Sequence, residues 1–180
     1  MNQEVHISGN VRSINTFFTP FINLLDTLHI HTNHSLTDEH SFYITSEHPA
    51  WHHYDTELAR YETIKNAPFH VLFNDAPINE NAAREVAYAI IQKKPILMVG
   101  SLQFTAKTSP LLKECIESNL AKFYTIDFAD LTKESLVGFI ENPTNPNYTL
   151  SSNEKALINA RVRAYFRYLL EEARDIYVQR

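Results

Sequence analysis

Hydrophobic positions along this chain fall into short apolar runs separated by helical patterns. The stretch from Phe69 to Val99, FHVLFNDAPINENAAREVAYAIIQKKPILMV, shows the rhythm most plainly. It predicts a buried strand at Phe69–Asn74, a polar turn at Asp75–Asn81, a helix at Ala82–Lys93 and a second buried strand at Pro95–Val99. Together these make one strand–helix–strand unit of a parallel sheet. The runs VLF and ILMV lack polar alternation, as expected of strands covered on both faces. In the helix, Ala82, Ala83, Val86, Ala87, Ile90 and Ile91 form the stripe expected to be buried, with Glu85 beside it.

The same rhythm runs through most of the chain. Further strands are predicted at Glu4–Ser8, Ser41–Thr45 and Phe123–Asp127, and helices at Ser13–Leu28, Asp55–Lys65, Ser109–Leu120 and Lys133–Glu141. Such alternation argues for an α/β fold with a five-stranded, mostly parallel sheet and helices on both faces, spanning residues 1–141. Two prolines and three asparagines in NPTNPNYTL mark a linker at 142–152. A long helix is predicted at Asn153–Tyr177, within a C-terminal segment 153–180. Its stripe of Ile158, Val162, Phe166, Leu169, Ala173 and Ile176 either packs on the same domain or also makes a subunit interface. Gly138, inside a helical pattern, is expected to mark close packing.

Composition narrows the function. The chain has 180 residues, 44% hydrophobic, with a net charge of -5. That is enough for one ordinary core and gives no basic face for nucleic acid. A single cysteine, Cys115, fits a reducing, cytoplasmic setting. No apolar run approaches the ~18 residues of a membrane span, and the first residues do not resemble a signal peptide. Neither a G-x-G-x-x-G turn nor a Walker A loop is present, so no dinucleotide or nucleoside-triphosphate cofactor is expected. Histidines crowd one stretch (His29, His31, His34, His40, His48, His52 and His53), but without metal-ligand spacing. They read as solvated loop residues, and no metal is expected.

The candidate chemistry centres on Glu85. Near a helix N-terminus its carboxylate is favoured as the anion by ~0.3–1 kcal/mol, which suits a nucleophile or an ion-pair partner. An ordinary exposed helix glutamate, paired with Arg84 or Lys93, is the alternative. In the preceding turn Asp75, Asn79 and Asn81 can accept hydrogen bonds. One of the two asparagines can cap the helix, and the others can orient a sugar hydroxyl or a base edge. Gly9 and Gly100 follow strands, where glycine permits a sharp turn or close approach to a ligand. His6 lies in the first strand, close to its carboxyl end. Trp51 is placed in a loop, where it stacks on a base or pins the loop to the core.

These residues resemble the nucleoside 2-deoxyribosyltransferase-like family. Its opening strand ending in glycine matches VHISG (Val5–Gly9), and its Y-D-x-x-L helix matches YDTEL (Tyr54–Leu58). The family's G-T/S-x-x-E-h-G-Y-A turn and helix (h, hydrophobic) matches NENAAREVAYA (Asn79–Ala89). Its K-P-V-h-h-V strand matches KPILMV (Lys94–Val99). The resemblance covers roughly residues 4 to 100 and implies a flavodoxin/Rossmann-like three-layer fold. It also implies a mechanism in which Glu85 attacks the anomeric carbon of a nucleoside, the base leaves, and water or a second base takes the sugar. His6 stands where the family has a tyrosine contacting that glutamate, and Asp55 lies in the Y-D motif. The match departs at Asn79, where the family has aspartate, at Asn81 and Ala82, where it has glycine and a hydroxyl residue, and near Pro68, where it has another aspartate.

The expectation is therefore an N-glycosyl transferase or hydrolase. Glu85 and His6 are catalytic, and Gly9, Trp51, Asp55, Asp75, Asn79 and Asn81 bind a small nucleoside-like substrate. A homo-oligomer is expected from the resemblance. The alternative is a binding or sensor module of the same fold that has lost turnover.

Overall fold

The first strand, β1 (Gln3–Asn10), sets the layering of the molecule. Side chains of a strand alternate between the two faces of its sheet. Here Val5 and Ile7 go one way into an apolar core, while His6 and Ser8 go the other, all four buried. In the computed structural model the described residues are 3–12, 14–34, 51–53, 57–76, 80–100, 123–143 and, in the last segment, 153, 156–157, 160–164, 167–168 and 171.

Five more strands complete the sheet: β2 (Ile30–His34), β3 (Trp51–His53), β4 (His70–Asn74), β5 (Ile96–Gly100) and β6 (Phe123–Ile126). Their order is β3-β2-β1-β4-β5-β6, and every neighbouring pair is parallel. The chain starts at the centre, winds out to β3, returns to β4 and winds out the other way. β1 and β4 therefore flank the switch point of a doubly wound sheet.

Helices α1 (Thr19–Thr27) and α4 (Lys133–Glu141) cover one face. There Phe18, Phe21, Leu25, Leu136 and Phe139 pack on Val5, Ile7, Val71, Phe73, Leu97 and Val99. Phe18 meets Phe73 edge-on, their ring centres 5.1 Å apart. Helices α2 (Glu57–Asn66) and α3 (Glu80–Ile91) cover the other face. Ile64, Val86, Ala87 and Ile90 meet Leu72, Ile96 and Met98, and Val162 of the last segment joins them. The expected three-layer α/β fold is the observed one, with helices on both faces.

The differences are local. The strand expected at Ser41–Thr45 and the helix expected at Ser109–Leu120 lie outside the described residues. β2 and β3 were not expected as strands, because IHTNH and WHH are too polar to read as buried runs. Trp51 consequently opens the edge strand β3, paired with Thr32, and does not lie in a loop. His34 is buried against Phe18, so the histidine cluster is not uniformly solvated; His29 and His31 are exposed. A π-helical turn, Ile14–Phe18, leads into α1. Pro20 has no N–H to give the preceding turn, and a wide turn accommodates its ring. Gly138 has open space where a Cβ would go, so close packing does not explain it.

Gly9 and Gly100 do have a close neighbour, and it is backbone. At φ +133°, a Cβ on Gly9 would stand 2.0 Å from the carbonyl oxygen of Phe73. At φ +143°, one on Gly100 would stand 2.4 Å from that of Asn74. Both glycines let adjacent strands approach at the carboxyl end of the sheet.

Candidate active site

On the α2/α3 face, three central strands bring polar residues together. His6 pairs in register with Asn33 of β2, and Ser8 pairs with Leu72 of β4, two residues beyond His70. Residues in register on parallel strands share a face, as do residues two apart on one strand. His6, Ser8, Asn33 and His70 therefore form one polar patch, and all four are buried.

Glu85 descends on this patch from α3 and is only 2% exposed. Its Oε2 accepts from the Ser8 hydroxyl at 2.5 Å and lies 3.1 Å from Nε2 of His6. Its Oε1 lies 3.4 Å from Nε of Arg60, which reaches in from α2. On the far side of His6, Nδ1 meets Oδ1 of Asn33, and the Asn33 amide donates to Glu4 at 3.0 Å. Ser8 Oγ also lies 2.9 Å from Nε2 of His70. The two imidazoles stack with centres 5.9 Å apart and planes inclined by 15°.

Burial sets the electrostatics. His70 is pushed down to about 3, first by loss of water and then by nearby His6, with Glu85 pulling weakly the other way. It is a neutral imidazole at physiological pH. The Glu85 carboxylate has positive and hydrogen-bonding partners from β1 and α2. Because α3 begins at Glu80, Glu85 lies in the helix's second turn and not its first as expected. The macrodipole fades within one turn, so His6, Ser8 and Arg60 hold the anion in its place.

The expected site residues therefore separate into groups. Glu85 and His6 are in contact, as the resemblance implied. Asp75 is buried at the carboxyl end of β4, where its Oδ2 accepts from the backbone N–H of Arg12 at 2.7 Å. It ties the turn after β4 to the turn after β1. Asn81 lies within α3 and so does not cap it; its Oδ1 accepts from Arg84. Gly9 serves the strand contact described above. The backbone of Trp51 is two strands away from β1. Asp55 and Asn79 lie outside the described residues. Ser8, His70, Asn33 and Arg60 were missed. Ser8 and His70 could have been found as the next same-face residue to His6 and the first polar residue of the neighbouring strand.

The carboxylate meets Ser8, two residues short of the strand's end at Asn10. It thus lies ~7 Å below the sheet's carboxyl edge. Among the described residues, no group of three histidine, cysteine or acidic side chains is placed to hold a metal ion. None of the described helices is long and apolar enough to cross a membrane.

Fold and site together define a Rossmann-like α/β protein with a buried carboxylate–histidine cluster beside its switch point. No protein-family profile matches the chain, and no curated protein matches it in sequence. Among solved structures it is similar to the glycotransferase of kitacinnamycin, at 12% identity and a TM-score of 0.54, over 96% of this chain and 43% of that one. It is also similar to CalG4, the calicheamicin glycosyltransferase, at 13% identity and a TM-score of 0.53, over 94% of this chain and 38% of that one. The chain thus spans about two fifths of the length of each, and the likeness is one of fold. A CMP N-glycosidase of Clostridium botulinum, BcmB, matches at 11% identity and a TM-score of 0.44, over 77% of this chain and 98% of that one.

Proposed function

We propose that this chain cleaves or transfers the N-glycosidic bond of a nucleoside-like small molecule, with Glu85 as nucleophile. The observation that carries the reading is the Glu85 carboxylate itself. It is buried, oriented on one oxygen by Ser8 and His6, and accompanied by the Arg60 guanidinium. A carboxylate so held is an anion of fixed direction, which is what displacement at an anomeric carbon requires. The fold is one on which the two glycosyltransferases above are built, an analogy at the level of architecture.

In the reaction, a Glu85 oxygen forms an ester to the anomeric carbon as the carbon–nitrogen bond breaks. The base leaves with the bonding electron pair and takes a proton. Water or the nitrogen of a second base then attacks the same carbon and releases the carboxylate, so the anomeric configuration is retained. The net hydrolysis consumes one water and yields free sugar and free base.

A second reading has its own support. Both Glu85 oxygens engage protein groups, and the carboxylate sits below the sheet's edge. Those features suit a polar anchor inside a binding module that performs no turnover. Incubation with mixed ribo- and deoxynucleosides and nucleotides, followed by chromatography for free base, separates the two. Enzyme chemistry gives base release that Glu85→Gln lowers at least a thousandfold. A ligand-induced rise in melting temperature without base release favours the binding module.

A further inference from the structure

The hydrogen-bond partners of the two buried histidines assign their protons. The Asn33 amide is oriented by its NH₂ group, which donates to the Glu4 carboxylate at 3.0 Å. The reverse orientation would set its oxygen against another oxygen. Oδ1 of Asn33 therefore faces Nδ1 of His6, while Nε2 of His6 faces the Glu85 carboxylate at 3.1 Å. With Glu85 ionised beside the Arg60 guanidinium, neither it nor a carbonyl oxygen can donate, so both ring nitrogens of His6 carry hydrogen.

A different count governs His70. Ser8 has one hydroxyl proton and two neighbours, Glu85 Oε2 at 2.5 Å and His70 Nε2 at 2.9 Å. Only the histidine can donate back to Ser8 Oγ. The proton order is therefore His70 Nε2–H to Ser8 Oγ, and Ser8 O–H to Glu85 Oε2. Nδ1 of His70 is buried with no hydrogen-bond partner among the described residues, which suits a neutral ring whose only N–H is on Nε2.

We propose that stacked His6 and His70 work as a split pair, His6 as an imidazolium bound to Glu85 and His70 as a neutral donor acting through Ser8. On this account His70 and Ser8 are positioning residues that fix Oε2 of Glu85. Their kinetic consequence rests on the glycosyl-transfer reading, whereas the proton assignment does not. Among the described residues, the charged and titratable groups facing the pair include Glu85 from α3, Arg60 from α2, and Glu4 on β1 through Asn33 of β2. Two charged imidazoles at this stacking distance would repel without water between them, whereas one charged and one neutral ring do not.

Nitrogen-15 NMR of the imidazole rings in the full chain tests the assignment near neutral pH. The expected spectrum shows His6 with both nitrogens protonated and His70 with hydrogen on Nε2 alone. A singly protonated His6, or His70 protonated on Nδ1, overturns it, whatever the protein's activity. Base-release kinetics then test positioning. Ser8→Ala and His70→Leu are expected to lower kcat about tenfold to a hundredfold with little change in KM, the scale of one hydrogen bond to a charged group. His70→Gln keeps an N–H near Nε2 and is expected to recover most of the rate. Unchanged kcat in Ser8→Ala, or a His70→Gln rate as low as that of His70→Leu, refutes positioning. If wild-type protein releases no base, the glycosyl reading and the positioning role fail together, and the ring spectra still decide the proton assignment.

Discussion

The two faces of the central sheet contrast sharply, although the same strands build both. Toward α1 and α4, strands β1 and β4 present Val5, Ile7, Val71 and Phe73, closed by an aromatic cluster. Toward α2 and α3, the same strands present His6, Ser8 and His70, closed by Glu85 and Arg60, beside the apolar cluster around Leu72. Apolar burial gains ~25 cal/mol per Å² and needs no particular orientation. Buried charge gains only when each partner is placed correctly, and the net balance against lost hydration is often near zero. The first face therefore supplies stability alone, while the second adds to its own apolar cluster a carboxylate held in one direction. Doubling these roles on alternate residues of β1 fixes the site to the centre of the sheet.

Substitutions on each face separate the two roles. The largest effect is expected at the seam between β1 and β4. Gly9→Ala puts a methyl group 2.0 Å from the Phe73 carbonyl oxygen in a conformation alanine rarely adopts. It should cost more than ~4 kcal/mol and leave little folded protein, as judged by urea unfolding. Next is Phe73→Ala on the apolar face, expected to cost ~3–5 kcal/mol by the same measurement.

A pH effect belongs to the polar face. In the folded chain His70 is held down at about 3, against an ordinary value of 6.5. Above the ordinary value both states leave it neutral, and its full contribution is present. Between these two values the unfolded chain binds a proton that the folded chain refuses, so stability falls as pH falls, by up to about 1.4 kcal/mol per pH unit. His70→Gln should flatten that slope, and an unchanged slope would remove the claim of a buried neutral histidine. The smallest effect is expected at Gly138, exposed within α4 with open space around it. Gly138→Ala should stabilise by ~0.5–1 kcal/mol through helix propensity, without altering either face.

What the sequence revealed follows the same division. The central strands were legible, since VLF and ILMV read as runs buried on both faces, and α4 was predicted at its observed bounds. β2 was not, because IHTNH looks solvated until Asn33 and His34 find partners inside the protein. Glu85 and His6 were legible as a pair through the family resemblance. Arg60, Ser8 and His70 were not, because their meeting depends on strand order and on how α2 lies beside α3. Periodicity along the chain does not carry that information. Asp75 was legible as an acceptor in the turn and was expected to bind substrate, but in the fold it accepts from the Arg12 backbone N–H.

As the proposed nucleophile, Glu85 takes up a sugar. The most direct test is intact-mass analysis of protein quenched during incubation with ribo- and deoxynucleosides and nucleotides, together with quantification of free base. The expected result is a covalent pentosyl adduct on the peptide containing Glu85, formed with base release and absent in Glu85→Gln. Base released at an equal rate by wild type and Glu85→Gln, or no release from any of these compounds, would contradict it.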